Sequence, residues 1–157
     1  MKTLLIKKRS RILQKWFDHI RKTYPAETQR FWESKKNCFA NPVGSTFLQG
    51  IEGLYDGLLQ GVDSSKVRPF LDNIIRIRAV QDFSPSQALS FIFELKEIIR
   101  QEFAKEIREK QLIPELLDCE SRIDQFVLLA LDVYMSCREK IYELKVKELR
   151  NRSVKAF

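Results

Sequence analysis

The amino-acid sequence predicts an all-α fold: a single helical domain over residues 1–157, made of five to six helices and ending in a long C-terminal helix. Two observations predict it. Apolar residues recur at intervals of three and four through nearly every segment, and no stretch alternates with the period of two that a half-buried strand requires. Residues that start and stop helices fall where those periodic segments begin and end. At 157 residues the chain is within the span of one domain, and no linker, internal repeat or low-complexity stretch divides it.

In residues 4–22, Leu5, Ile12, Leu13, Trp16, Phe17 and Ile20 form one apolar stripe, with Lys7, Lys8, Arg9, Arg11, Lys15 and Arg21 between them. This is the pattern of an amphipathic surface helix. Pro25 ends it, and a short helix over 28–34 carries Phe31 and Trp32. Asn41, Pro42, Val43 and Gly44 read as a turn, with Ser45 capping a helix over 46–60. That helix places Phe47, Leu48, Ile51, Leu54, Tyr55, Leu58 and Leu59 on its apolar side and stops at Gly61. Gly50, Gly53 and Gly57 lie inside it. Each costs about 1 kcal/mol of helix propensity relative to Ala, which points to close approach by another helix or a ligand.

The next helix covers 67–81, with Phe70, Leu71, Ile74, Ile75 and Val80 apolar and Pro69 in its first turn. Ser84, Pro85 and Gln87 then spell a capping box with proline at the first helical position, and Phe83 and Ala88 a hydrophobic staple. The helix starting at Pro85 is expected to run to about Arg108, and the last from Pro114 to about Arg150. In the last helix Ile123, Val127, Ala130, Tyr134, Cys137, Ile141 and Leu144 follow a 4-3-4-3 seam. The stretch 126–131 is apolar nearly all round, which predicts a central place in the core. Past Glu139 charges take over, so residues 140–157 are expected to leave the body of the domain.

The net charge of +7 is uneven: residues 1–36 carry +8, residues 37–96 carry −1, and residues 97–157 are neutral. A basic segment suits nucleic acid, an anionic membrane, an acidic partner, or simply a solvated helix face. No helix-turn-helix, RNA-binding motif or zinc finger accompanies it, so no nucleic-acid partner is expected. No window nears the ~20 apolar residues of a spanning helix, and the first ten residues lack a signal-peptide core. Stable membrane insertion is therefore not expected. Cys38, Cys119 and Cys137 are odd in number and form no CxxC pair, which suits the reduced thiols of a cytoplasmic protein.

No enzyme constellation is visible, so no catalytic residue, metal or cofactor is expected. His19, the single histidine, sits on the basic first helix without a local partner for metal or nucleophile chemistry. The glycines match no phosphate-cradling loop. Asp124 and Asp132 lie two turns apart and suit pairing with Arg122 or Arg138 better than joint acid–base work. A small-ligand sensor, in the extreme a haem-type one using His19, stays open beside a binding surface on the first helix.

The run Ile75-Arg76-Ile77-Arg78-Ala79-Val80-Gln81-Asp82-Phe83-Ser84-Pro85-Ser86-Gln87-Ala88 resembles the N-terminal domain of RsbRD-type proteins, the RsbT co-antagonist or stressosome regulator group. Asn41-Pro42-Val43-Gly44, Leu95-Lys96, Ile98-Ile99-Arg100, Arg122-Ile123-Asp124, Asp132-Val133-Tyr134 and Cys137-Arg138-Glu139 also fit, so the resemblance covers about residues 10–150. It implies a globin-like, non-haem sensor domain that forms homodimers and is joined by its last helix to a STAS domain, which binds the RsbT switch kinase. Residues up to Phe157 include no STAS domain, so a stand-alone version is expected. It would be a cytoplasmic, non-enzymatic signalling or adaptor domain acting on protein partners, with a second copy and an RsbT-like kinase or other regulator as candidates.

The specific run supplies candidate ligand or partner residues: Arg76, Arg78, Gln81, Asp82, Ser84 and Ser86, with Tyr134 and Arg138 from the last helix. Arg76 and Arg78 stand about 200° apart around a helix. One of them faces a pocket or interface suited to an anion or carboxylate; the other is solvated or pairs with Asp72 or Asp82. The structural alternative is that Gln81, Asp82 and Ser84 close the corner by hydrogen bonds while Arg76 or Arg78 ties it to the last helix. Val127, Tyr134, Ile141 and Leu144 are the candidate dimer residues.

Overall fold

Residues 1–34 and 42–156 are described by a computed structural model. Among these residues there are eight helices and no strand: α1 (Lys2–Lys7), α2 (Arg9–Lys22), α3 (Ala26–Ser34), α4 (Pro42–Gln60), α5 (Ser64–Val80), α6 (Pro85–Glu102), α7 (Ala104–Glu109) and α8 (Ile113–Ala156). The all-α class and the long last helix agree with the sequence. Helices outnumber the expectation because two continuous periodic segments are each broken once. The first breaks at Lys8 (φ −100°, ψ 15°) and the second at Phe103 (φ −117°, ψ 14°). Neither break has a glycine or proline to announce it. The two breaks touch: the Lys8 ammonium donates to the Glu102 carbonyl at 2.6 Å and lies 4.7 Å from the centre of the Phe103 ring. A lysine here caps the C-terminal end of α6, where a positive charge is favoured.

Other boundaries move for local reasons. Asn41 lies outside the described residues, and Pro42, Val43 and Gly44 are already helical, so α4 starts before the expected Ser45 cap. Pro42 serves as its first helical residue, a position that needs no N–H. α5 starts at Ser64 because Asp63 caps it, accepting from the Ser65 amide at 3.0 Å. Pro69 is thereby in the second turn instead of the first. The capping box of α6 forms as read: Ser84 accepts from the Gln87 amide and Gln87 Oε1 from the Ser84 amide.

The three glycines of α4 face α5. A Cβ on Gly53 would meet the Phe70 ring at 2.5 Å, one on Gly50 the Ile74 side chain at 2.5 Å, and one on Gly57 Val67 at 2.8 Å. Helix packing therefore explains the small-residue line. α8 packs along α5 and α6, and α2 lies over α6 and α4. Arg100–Glu120 and Lys96–Asp124 set α6 and α8 antiparallel. Trp16, Tyr55, Phe47, Phe91, Phe103 and Phe126 fill the centre. Trp16 is held by its indole N–H on the Phe91 carbonyl at 2.6 Å, and Tyr55 by its hydroxyl on the Leu5 carbonyl at 2.9 Å.

The stretch 126–131 is not central as expected. Phe126 and Ala130 are buried, but Leu128 is 66% exposed and Leu131 40%. Leu48 and Val80, read into apolar faces, are also exposed. With 44 residues α8 is about 66 Å long, and from Tyr142 onward its described side chains are all exposed.

Candidate functional site

The specific run of residues 75–88 folds into the corner between α5 and α6. Asp82 takes the left-handed conformation (φ 60°), and the Phe83 amide reaches back to the Arg78 carbonyl at 3.1 Å, a closure that asparagine and aspartate tolerate best after glycine. Arg78 points inward and is completely buried, whereas Arg76 on the other side of α5 is exposed. The 200° argument thus resolves to Arg78 inside. Its Nη1 donates to the Gln87 carbonyl at 2.8 Å and its Nη2 to Thr23 Oγ1 at 3.1 Å, while Nε has no hydrogen-bond partner among the described residues. Neither acceptor is charged. The rings of Tyr24, Phe47, Phe83 and Phe91 surround the guanidinium, their centres 4.9 to 5.8 Å from its carbon. Such cation–π contacts contribute about 0.5–2 kcal/mol each. Burial holds the arginine below its ordinary pKa and pushes the neighbouring Tyr24 phenol up; an arginine in a protein nonetheless stays charged.

The other candidates close around this point. Gln81 accepts from the Tyr24 hydroxyl at 2.8 Å. Ser84 and Ser86 lie with their hydroxyls 3.3 Å apart at the cap of α6. From α8, the Tyr134 hydroxyl donates to the Phe83 carbonyl, and Arg138 Nη1 donates to the Ala79 carbonyl at 3.1 Å and to Asp82 at 3.3 Å. The arginine that ties the corner to the last helix is therefore Arg138, not Arg76 or Arg78. Thr23, Tyr24, Phe47, Phe91 and Ser90 belong to the same constellation. Sequence reasoning missed them because they join it from α2, α4 and the second turn of α6, at separations with no local signature.

A cavity of about 360 Å³ opens over the corner, lined by Thr23, Gln81, Asp82, Phe83, Gln87 and Ser90. A second, of about 430 Å³, lies between α1, α4 and α8 beside Cys119, whose thiol burial pushes up to about 11, well away from a reactive thiolate. Cys137 is half-buried, and Cys38 lies outside the described residues. Among the described residues no group of His, Cys, Asp and Glu is arranged to hold a metal ion. His19 is on the outside of α2, 3.5 Å from Glu94. Asp124 pairs with Lys96, Arg122 with Asp118 and Arg138 with Asp82, so the expected pairing of Asp124 and Asp132 with Arg122 or Arg138 does not form.

The four candidate dimer residues do not share one exposed face. Tyr134 is buried in the corner and takes no part in an open seam; Val127 and Ile141 are half-buried, and Leu144 is 67% exposed. The open stripe is displaced by one residue. Leu128, Met135, Tyr142 and Leu149, seven apart, are all exposed, joined by Leu131 and Val146. Part of the basic segment is paired within the chain: Lys8 with Glu106, Arg9 with Asp56 through a two-bond fork at 2.9 and 3.1 Å, and Arg11 and Lys15 with the buried Glu102. No helix among the described residues is long and apolar enough to cross a membrane.

Comparison with known proteins fits this architecture. An uncharacterized protein of Archaeoglobus fulgidus is 26% identical over 141 residues, which is 89% of this chain and 83% of that protein. No solved structure matches. The family profile described as the RsbT co-antagonist protein rsbRD N-terminal domain matches residues 10–148, which include the Arg78 corner and most of α8. The chain belongs to the RsbT co-antagonist protein rsbRD N-terminal domain family.

Proposed function

We propose that the protein is a non-enzymatic, cytoplasmic signalling or adaptor domain of the stressosome type, acting through protein–protein contacts with α8 as its output element. The observation that carries this reading is the exposed stripe of Leu128, Met135, Tyr142 and Leu149. An exposed apolar residue repeated every seven positions along a projecting helix forms a one-sided row suited to packing against another helix, and the occupant proposed for it is α8 of a second copy. The family relationship supports protein partners, with an RsbT-like kinase or another regulator as the downstream one. The globin-like, non-haem arrangement implied by the resemblance belongs to this reading as well.

Light scattering tests the homodimer directly. The expected mass is twice the 18.6 kDa of the chain, and Tyr142→Glu with Leu149→Glu returns it to the single-chain value while the helical circular dichroism signal stays. A wild-type monomer at high protein concentration overturns the dimer.

A further inference from the structure

We infer that the cavity over the α5–α6 corner binds a small oxyanion, a carboxylate or phosphate group, with Arg78 as its buried counter-charge. Two of the groups that line the cavity, Thr23 and Gln87, are the two that accept hydrogen bonds from Arg78. The guanidinium is thus hydrogen-bonded to two of the residues that line the cavity without itself lining it. It is fully buried, the Gln87 carbonyl and the Thr23 hydroxyl that accept from it are both neutral, and its Nε has no partner among the described residues. In such a site a charge is weakly screened, so an anion in the cavity is attracted far more strongly than it would be by a surface arginine.

The lining agrees in sign and in chemistry. Gln81 and Gln87 use their Oε1 atoms to accept from the Tyr24 hydroxyl and the Ser84 amide, which leaves both side-chain NH₂ groups as donors. Asp82 is the one acidic lining residue, and its carboxylate pairs with Arg138. The corner thus holds two guanidiniums against one carboxylate. The acids on the packed helices nearby are engaged elsewhere, Asp18 with Arg21 and Glu94 with His19. A cation would be repelled by Arg78, and a neutral guest would leave its charge uncompensated. An anion held here would touch the residue that ends α2, the α5–α6 corner and α6 and, through Asp82–Arg138 and Phe83–Tyr134, reach α8. The inference stands on these contacts whether or not the chain dimerises.

The test is an amide ¹H–¹⁵N titration of the full chain with sodium phosphate and, separately, sodium acetate, at ionic strength held constant with sodium chloride. Saturable shifts are expected at Thr23 and across Gln81–Ser90, together with a rise in melting temperature. Saturation by one probe alone supports the site and assigns its anion class. Arg78→Met should weaken binding by about tenfold or more with the spectrum of a folded chain. Gln81→Leu and Ser90→Ala should each weaken it by about threefold, and they decide the matter if Arg78→Met does not fold. The inference is overturned if neither anion produces saturable shifts at this corner up to about 50 mM, where even millimolar affinity would saturate. It is overturned equally if the shifts fall only on the basic side chains' helices α1 and α2, or if folded Arg78→Met, or both lining variants, bind as the wild type does.

Discussion

Arg78 shows most plainly what one residue can decide. Its buried charge is held by four aromatic rings and two neutral oxygens, with no ion pair to a carboxylate among the described residues. Replacing a buried ion by an apolar side chain of similar length is often nearly neutral, whereas truncation leaves a cavity. Arg78→Met is therefore expected to stay within about 1.5 kcal/mol of the wild type, and Arg78→Ala to lose about 2–4 kcal/mol. Urea denaturation measures both, and equal losses would show that the charge itself holds the corner. Glu102 gives a second residue-scale prediction. Lys15 first, then Arg11 and Lys8, hold its carboxyl below the usual value. A carboxylate with a depressed folded pKa adds stability above its unfolded pKa of about 4.3, and that stability disappears as pH falls through the folded value. The urea midpoint should accordingly fall between about pH 5 and pH 3. Glu102→Gln should lower the midpoint at pH 6 and flatten this fall; parallel profiles for the two proteins would count against it.

At the scale of elements, legibility depended on whether the signal was local. The capping box of α6 could be read residue by residue because all its atoms lie within one turn. The glycine line of α4 announced a close neighbour without saying which, and α5 is that neighbour. Gly53→Ala gains about 1 kcal/mol of helix propensity but drives a methyl into the Phe70 ring, an overpacking cost of about 1–3 kcal/mol. Net destabilisation is expected in thermal unfolding; a stabilised variant would mean that Phe70 swings aside at no cost. The breaks at Lys8 and Phe103 were not legible. Nothing in either segment departs from helical periodicity, and the two breaks are stabilised by each other across the fold.

For the whole molecule, the charge of +7 changes meaning once the chain is folded. Lys8, Arg9, Arg11 and Lys15 meet Glu102, Glu106 and Asp56 from residues 47 to 98 positions away. Part of the basic face is thus taken up by the chain's own acidic groups. The proposed dimerisation through α8 makes stability depend on protein concentration. Because association binds the folded state only, the melting temperature of the wild type should rise with protein concentration. That of the Tyr142→Glu, Leu149→Glu variant should not, and a concentration-independent wild type would contradict the α8 interface.

The sequence by itself determined the all-α class, the start of α6, the apolar faces of α2, α4 and α5 apart from Leu48 and Val80, and the family, because these rest on spacings within one or two turns or on a contiguous run of residues. Only the tertiary structure decided that Arg78 is the inward arginine, that Arg138 rather than an α5 arginine ties the corner to α8, that four residues of the basic segment pair with distant acids, and that the open stripe of α8 runs through Leu128 and Tyr142 instead of Val127 and Tyr134. The physical reason is common to all four. A helical period fixes which residues share a face to within one position, but which face meets the core, and which distant charge meets which, follows from how the helices pack.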